Sequence, residues 1–288
     1  MQYLMTSDAD MGRLSRTAFF GASALLFAIS AAVTIAWCAS MSAMGEMSMP
    51  GGWTMSMTWM RMPGQTWLGA AVSFLGMWVV MMVAMMLPSL LPKLWRYLNA
   101  VGRPASRHWR FSGFPPLRSG RTTGRRPGLL VTLVGVGYFC VWTVFGIAAF
   151  SLGVMLAAIE MQEPALAHAV PIAVGVVVLI AGALQFTAWK AHHLACCREM
   201  PSCCPTCSDA GSALRYGLRL GLHCSYCCAS LTAVLLVIGV MDLRAMAVVT
   251  AAITVERLAM DAQRVARVIG AVVVGAGLFL IARAVALA

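Results

Sequence analysis

Charge is what this sequence has least of. Only 11% of its 288 residues are Asp, Glu, Lys or Arg, against roughly 25% in a soluble domain, while 60% are hydrophobic and the mean hydropathy is +0.82. That excludes an ordinary soluble globular protein. A nucleotide-binding loop is also missing, which argues against active pumping by this chain alone. No flavin, quinone or nicotinamide motif appears, because the glycines from Gly135 to Gly137 sit inside an apolar run and do not join a strand to a helix. Nor does a basic domain stand apart from the apolar runs, so the net charge of +11 speaks for topology and not for nucleic acid.

What is present is a series of apolar runs of about 20 residues, each long enough to cross a hydrocarbon core of roughly 30 Å. Seven can be marked, at 17–38, 67–91, 128–157, 170–189, 217–240, 245–255 and 268–287. They predict an all-α, polytopic transmembrane helical bundle of about seven spans. The sixth is the weakest and reaches full width only if Glu256 and Arg257 lie inside or at the membrane boundary. The first follows Arg13 and Arg16 as a signal sequence would, but it lacks a convincing cleavage site and is long enough to stay as an anchor. Assigning Lys and Arg to alternate loops places 18 on one side and three, Arg61, Arg244 and Arg283, on the other. The positive-inside rule then predicts a cytoplasmic N-terminus and an outer C-terminus. Residues 1–66 read as an anchor span with an outer loop. Residues 67–288 read as a membrane domain with a basic cytoplasmic linker at 92–127 and a Cys/His hairpin at 190–215.

Sulfur is in excess, with 22 Met and 10 Cys. Eight methionines fall between residues 39 and 66, and the Met-x-Met spacing recurs at Met47/Met49, Met55/Met57 and Met60/Met62. A thioether is a soft donor that needs no deprotonation, so this outer loop suits capture of Cu(I). A greasy loop in which Met fills gaps is the alternative. The second run continues the pattern: Met81/Met85 and Met82/Met86 stack at i, i+4 on a helix face. Pro88 follows and can kink the helix.

Eight of the ten Cys lie between Cys196 and Cys228. One group follows the fourth run: Lys190, His192, His193, Cys196 and Cys197, then Cys203, Cys204 and Cys207. The other lies within the fifth run: His223, Cys224, Cys227 and Cys228. On a helix the latter four fall within an arc of about 140°, and polar side chains inside a span default to function. Disulfides are not expected, since one group faces the reducing cytosol and the other lies on a single helix. Vicinal Cys pairs suit Cu(I) first, with zinc second and another thiophilic ion such as Hg(II) open. Counting residues from the membrane edges puts Cys227 and Met85 at about 12 Å depth, and Glu256 level with Cys228. Glu256 is therefore either a further donor or the ion-pair partner of Arg257 or Arg219.

Several stretches resemble a bacterial family known as predicted metal-binding integral membrane proteins, of unknown function. They are Ala84-Met85-Met86-Leu87-Pro88-Ser89, Leu184-Gln185-Phe186 with Lys190 and Cys196, and the run from Gly217 to Cys228. Gly239-Val240-Met241-Asp242-Leu243 and Glu256-Arg257 add to them. The resemblance covers roughly 65–285. It implies a metal site drawn from these Met, Cys and Glu residues, and a multi-pass protein of the bacterial inner membrane. Cys203, Cys204 and Cys207 depart from the family's pattern, as does Asp242, where Asn is common.

The leading expectation is thus soft-metal handling or transport through Met82, Met85, Met86, His223, Cys224, Cys227, Cys228 and Glu256, with His192, His193, Cys196 and Cys197 at the cytoplasmic end. Membrane lipid is the expected partner. A separately encoded metal-binding protein and self-association stay open. The contrasting expectation is a membrane oxidoreductase or electron-transfer subunit using Cys224/Cys227 or the bound metal.

Overall fold

The structure, a computed structural model, describes residues 2–43, 47–48, 53–55, 59–61, 64–102, 127–199 and 209–287. Met49, Met57, Met62, most of the basic linker, and Cys203, Cys204 and Cys207 lie outside the described residues. Among those described, the elements run α1 Gln2–Ala43, β1 Met47–Ser48, β2 Thr54–Met55, α2 Trp67–Gly102, α3 Pro127–Gln162, α4 Pro164–Leu184, α5 Ala188–Glu199, α6 Ala210–Ile238, α7 Leu243–Leu258 and α8 Ala262–Leu287. The described residues are all-helical apart from the short β1 and β2 pairing between α1 and α2, in which Met47 is in register with Met55.

Among the described residues, six helices are long and apolar enough to cross a membrane: α1, α2, α3, α4, α6 and α8. That agrees with a polytopic bundle of about seven spans, and the difference falls at the weakest run. There α7 has only 16 residues, about 24 Å at 1.5 Å per residue. Its start is set by Asp242, whose carboxylate accepts the N–H groups of Arg244 at 2.8 Å and Ala245 at 3.2 Å, an N-cap that halts the helix there. Its last turn carries Glu256 and Arg257, so no further apolar turn extends it.

A second difference concerns the fourth run, expected to continue to 189. The helix stops at Leu184, and tight turns follow, with Phe186 N–H donating to Ala183 O and Thr187 N–H to Leu184 O. The Thr187 hydroxyl then accepts the Lys190 N–H at 3.3 Å, capping a new short helix, α5. On α5, Lys190, Leu194 and Cys197 recur at helical spacing and are all buried, so this side faces the bundle.

Two helix pairs form the frame, and both are built on glycine. A Cβ at Gly217 would stand 2.2 Å from the Val134 carbonyl oxygen, and one at Gly137 would stand 2.5 Å from the Leu214 oxygen. The α3 and α6 backbones therefore touch. Gly182 and Gly270 bring α4 and α8 together in the same way, the small-residue packing usual where the solvent itself is apolar. Against the first pair lies α2, continuous through Pro88 and Pro92, with Met77, Met81, Met82, Met85 and Met86 all buried. Leu68, Val72, Val136, Val144, Val272 and Phe279 point outward, an apolar belt suited to lipid.

The glycine contact gives a sharp expectation. Gly137→Leu forces a side chain into the α6 backbone and costs about 3 kcal/mol, the upper end for overpacking, because backbone cannot step aside. Gly135→Leu, two residues along the same helix, meets nothing within 4 Å and is tolerated. Folded yield and melting temperature in detergent check the pair.

Candidate metal centre

Glycine packing decides where the cysteines go. Because α3 and α6 touch at Gly217 and Gly221, the next turn of α6 meets Tyr138, whose hydroxyl lies 2.7 Å from Cys224 Sγ in a hydrogen bond. On its other side Cys224 Sγ stands 4.0 Å from Met86 Sδ. Both residues are at most 1% exposed. Two sulfurs bound to one ion at about 2.3 Å each, the length of a zinc–thiolate bond, stand 4.0 Å apart when the angle at the ion is about 120°. The spacing therefore fits one ion with three sulfur ligands. Cys228, one turn further along α6, is buried in the same cluster, as are Met82 and Met85.

Cys227 leaves this cluster and joins Cys197 of α5, with Leu194, Ala262 and Ala266 around them. The two side chains are packed in one buried cluster. The vicinal pair Cys227 and Cys228 thus faces two different neighbours. The same division separates Cys196 from Cys197: Cys196 is half-buried and lies 3.5 Å from His192 Nε2.

Charge surrounds the thiols. Lys190 Nζ donates to Glu256 Oε2 at 2.8 Å and to the Cys227 carbonyl at 2.7 Å, an ion pair only 2% exposed on either side. Glu256 therefore pairs with Lys190, and with neither Arg257 nor Arg219. Its other oxygen, Oε1, has no protein partner. Arg257 turns the opposite way, donating to Ser89 Oγ at 3.0 Å, to Cys197 Sγ at 3.4 Å and to the Cys224 carbonyl at 3.4 Å. Lys93 reaches Cys197 at both its carbonyl and its sulfur. An open cavity beside Ser89, Lys93, Cys197 and Arg257 leads from this cluster to the end of the bundle where the basic residues gather.

The histidines form a separate patch. His193 stacks near His192, His223 and Tyr226, with centroids 5.4, 6.5 and 5.4 Å away. Burial, then the nearby His192 and His223, push the His193 imidazole below its ordinary value, which favours its neutral form. His223 thus sits with α5 and apart from the inner cysteines. Among the described residues, no three His, Cys, Asp or Glu side chains converge on a common point. The inner cluster mixes thiol with thioether instead.

Reading by motif missed Tyr138, Lys93, Lys190 as a buried group, and a second sulfur pair. Cys38 Sγ of α1 stands 4.0 Å from Met241 Sδ, in the turn between α6 and α7. Cys38 lies in the last turns of α1 and Met241 in the turn that follows α6. Nothing in local spacing pairs them, since they are 203 positions apart. Between α1 and α2, Met60 is half-buried.

The Lys190–Glu256 pair has a measurable consequence. Glu256→Ala leaves an unpaired buried ammonium and destabilises by about 3 to 5 kcal/mol, whereas the double change Lys190→Met/Glu256→Leu recovers most of that. Melting temperatures of the single and double variants check it, and equal losses in both would refute the pairing.

Comparison with curated proteins and with solved structures returns no match. Comparison with protein families agrees with the metal-binding resemblance: residues 75–280, which hold both the Met86–Cys224 and the Cys197–Cys227 contacts, match the family described as PpoB2, copper chaperone, and the chain belongs to that family.

Proposed function

We propose that the protein carries Cu(I) as cargo through the bundle, binding it between Met86 of α2 and Cys224 of α6, with Cys228 as third donor. The observation that carries this is the 4.0 Å approach of a thioether to a thiol in a fully buried position. Cu(I) is soft and accepts low coordination by sulfur, whereas zinc takes four ligands of the thiolate, imidazole or carboxylate kind. Charge also fits. One cuprous ion on one thiolate and one thioether is neutral, and a second thiolate is balanced by Arg257, which lies against this group.

Under the positive-inside rule the Cys38–Met241 pair and the Met-rich loop lie outside, and Cys197 with Cys227 lies toward the cytosol. The donors then grade from thioether outside to paired thiols inside. That order favours inward movement, since thiolates hold Cu(I) more tightly than thioethers do. Glu256 is proposed as a supporting group that fixes Lys190, and its unpaired oxygen leaves it able to serve as a donor as well.

A membrane thiol oxidoreductase is the second reading, favoured by the burial of Cys197 and Cys227, from two helices, in one cluster. The two readings separate experimentally. Protein purified from cells grown with mixed metals should contain copper above zinc by elemental analysis. Met86→Leu/Cys224→Ser should retain less than about a tenth of it, the loss expected when both soft donors of a site go. If Cys224→Ala/Cys227→Ala binds copper as well as the unaltered protein, the copper reading fails. A mixed disulfide trapped in Cys227→Ala would support the oxidoreductase.

A further inference from the structure

The cavity at the basic end has the wrong sign of charge for a bare metal ion. It measures about 650 Å³ and opens between α2, α5, α7 and the start of α8. That is the size of a small-molecule site, and too small for a folded partner. Lys93, Arg96, Arg198 and Arg257 stand on its wall. The acid among its described lining residues is Asp261, which pairs with Arg264 at 3.4 Å. Four cations in a low-dielectric cleft concentrate anions and repel cations. Arg257 is only 8% exposed, and its Nε has no protein partner. Its guanidinium and the Lys93 ammonium meet at Cys197 Sγ, at 3.4 and 3.3 Å, so a thiol and two cations share the inner wall.

A ligand fitting this wall needs carboxylates for the cations and soft sulfur for whatever Cys197 passes on. We infer that the cavity binds a small anionic thiol bearing carboxylates, which takes Cu(I) from Cys197 or gives it up there. The exchange rests on the copper reading above; the anion site does not. When copper leaves Cys197, the bond from copper to the ligand's sulfur forms as the bond to Cys197 Sγ breaks. The proton displaced from the ligand's thiol goes to the leaving Cys197 thiolate. Copper stays cuprous throughout, so no oxidant or reductant is needed.

The test uses the full-length protein in lipid nanodiscs, metal-free and reduced. It is titrated with reduced glutathione, which carries two carboxylates and a thiol, and with glutathione diethyl ester, which keeps the thiol but loses both charges. Glutathione should bind about tenfold more tightly than the ester, with an affinity that falls as salt rises. Arg96→Glu/Arg198→Glu, at the outer rim of the cavity, should weaken glutathione by about tenfold. Equal binding of glutathione and ester, or unchanged affinity in the double variant, overturns the inference. Arg198→Gln alone, the milder change, should weaken glutathione by less than the double variant, and an unchanged affinity there too counts against the site. Copper content is measured on the same unaltered protein. Copper-loaded protein that ignores glutathione overturns the anion site and leaves the copper reading standing. Protein that binds glutathione but never copper overturns that reading and, with it, the exchange step.

Discussion

A single ammonium group organises the inner end of this bundle. Lys190 Nζ bonds Glu256 of α7 and the Cys227 carbonyl of α6 while standing on α5, so three helices meet at one atom. Buried charge tolerates few arrangements, because each lost partner leaves desolvation uncompensated. The rest of the centre follows from that restraint. Cys197, seven residues beyond Lys190, comes to Cys227. Arg257, next to Glu256, is turned toward Cys224 and Ser89.

This arrangement gives the sulfurs an electrostatic setting that hydrophobic packing alone would not provide. Lys93, Lys190 and Arg257 approach the cluster, and Glu256 offsets one of them. The surplus is positive. It can be balanced from within by metal-bound thiolate, which carries the charge that thioether ligands lack. Methionine and cysteine are therefore not interchangeable along the bundle: Met77 and Met81 lie in uncharged packing, while Cys197 lies against two cations.

Much of the architecture was legible because apolar length is a one-dimensional signal. The runs that became α1, α2, α3, α6 and α8 were visible as such, whereas counting from membrane edges set Met85 level with Cys227 and the sulfur contact between α2 and α6 is Met86 with Cys224. The missed parts depend on partners far away in the chain. Hydrophobicity continues through residue 189, so nothing local marks the turn after Leu184. Lys190 reads as a loop charge until Glu256, 66 positions later, is seen beside it. The arc calculation for His223, Cys224, Cys227 and Cys228 held for helix geometry, yet α5 divides that arc by drawing His223 and Cys227 toward itself. Asp242 departs from the family's pattern and still caps α7, a task Asn performs equally well.

The shortness of α7 reaches beyond its own helix. At about 24 Å it falls several ångströms short of the thickness of a typical hydrocarbon core, while the six long helices do not. Its last turn, with Glu256 and Arg257, therefore ends inside the length of the bundle. The helix end leaves room there, and the open cavity beside Lys93, Cys197 and Arg257 occupies it.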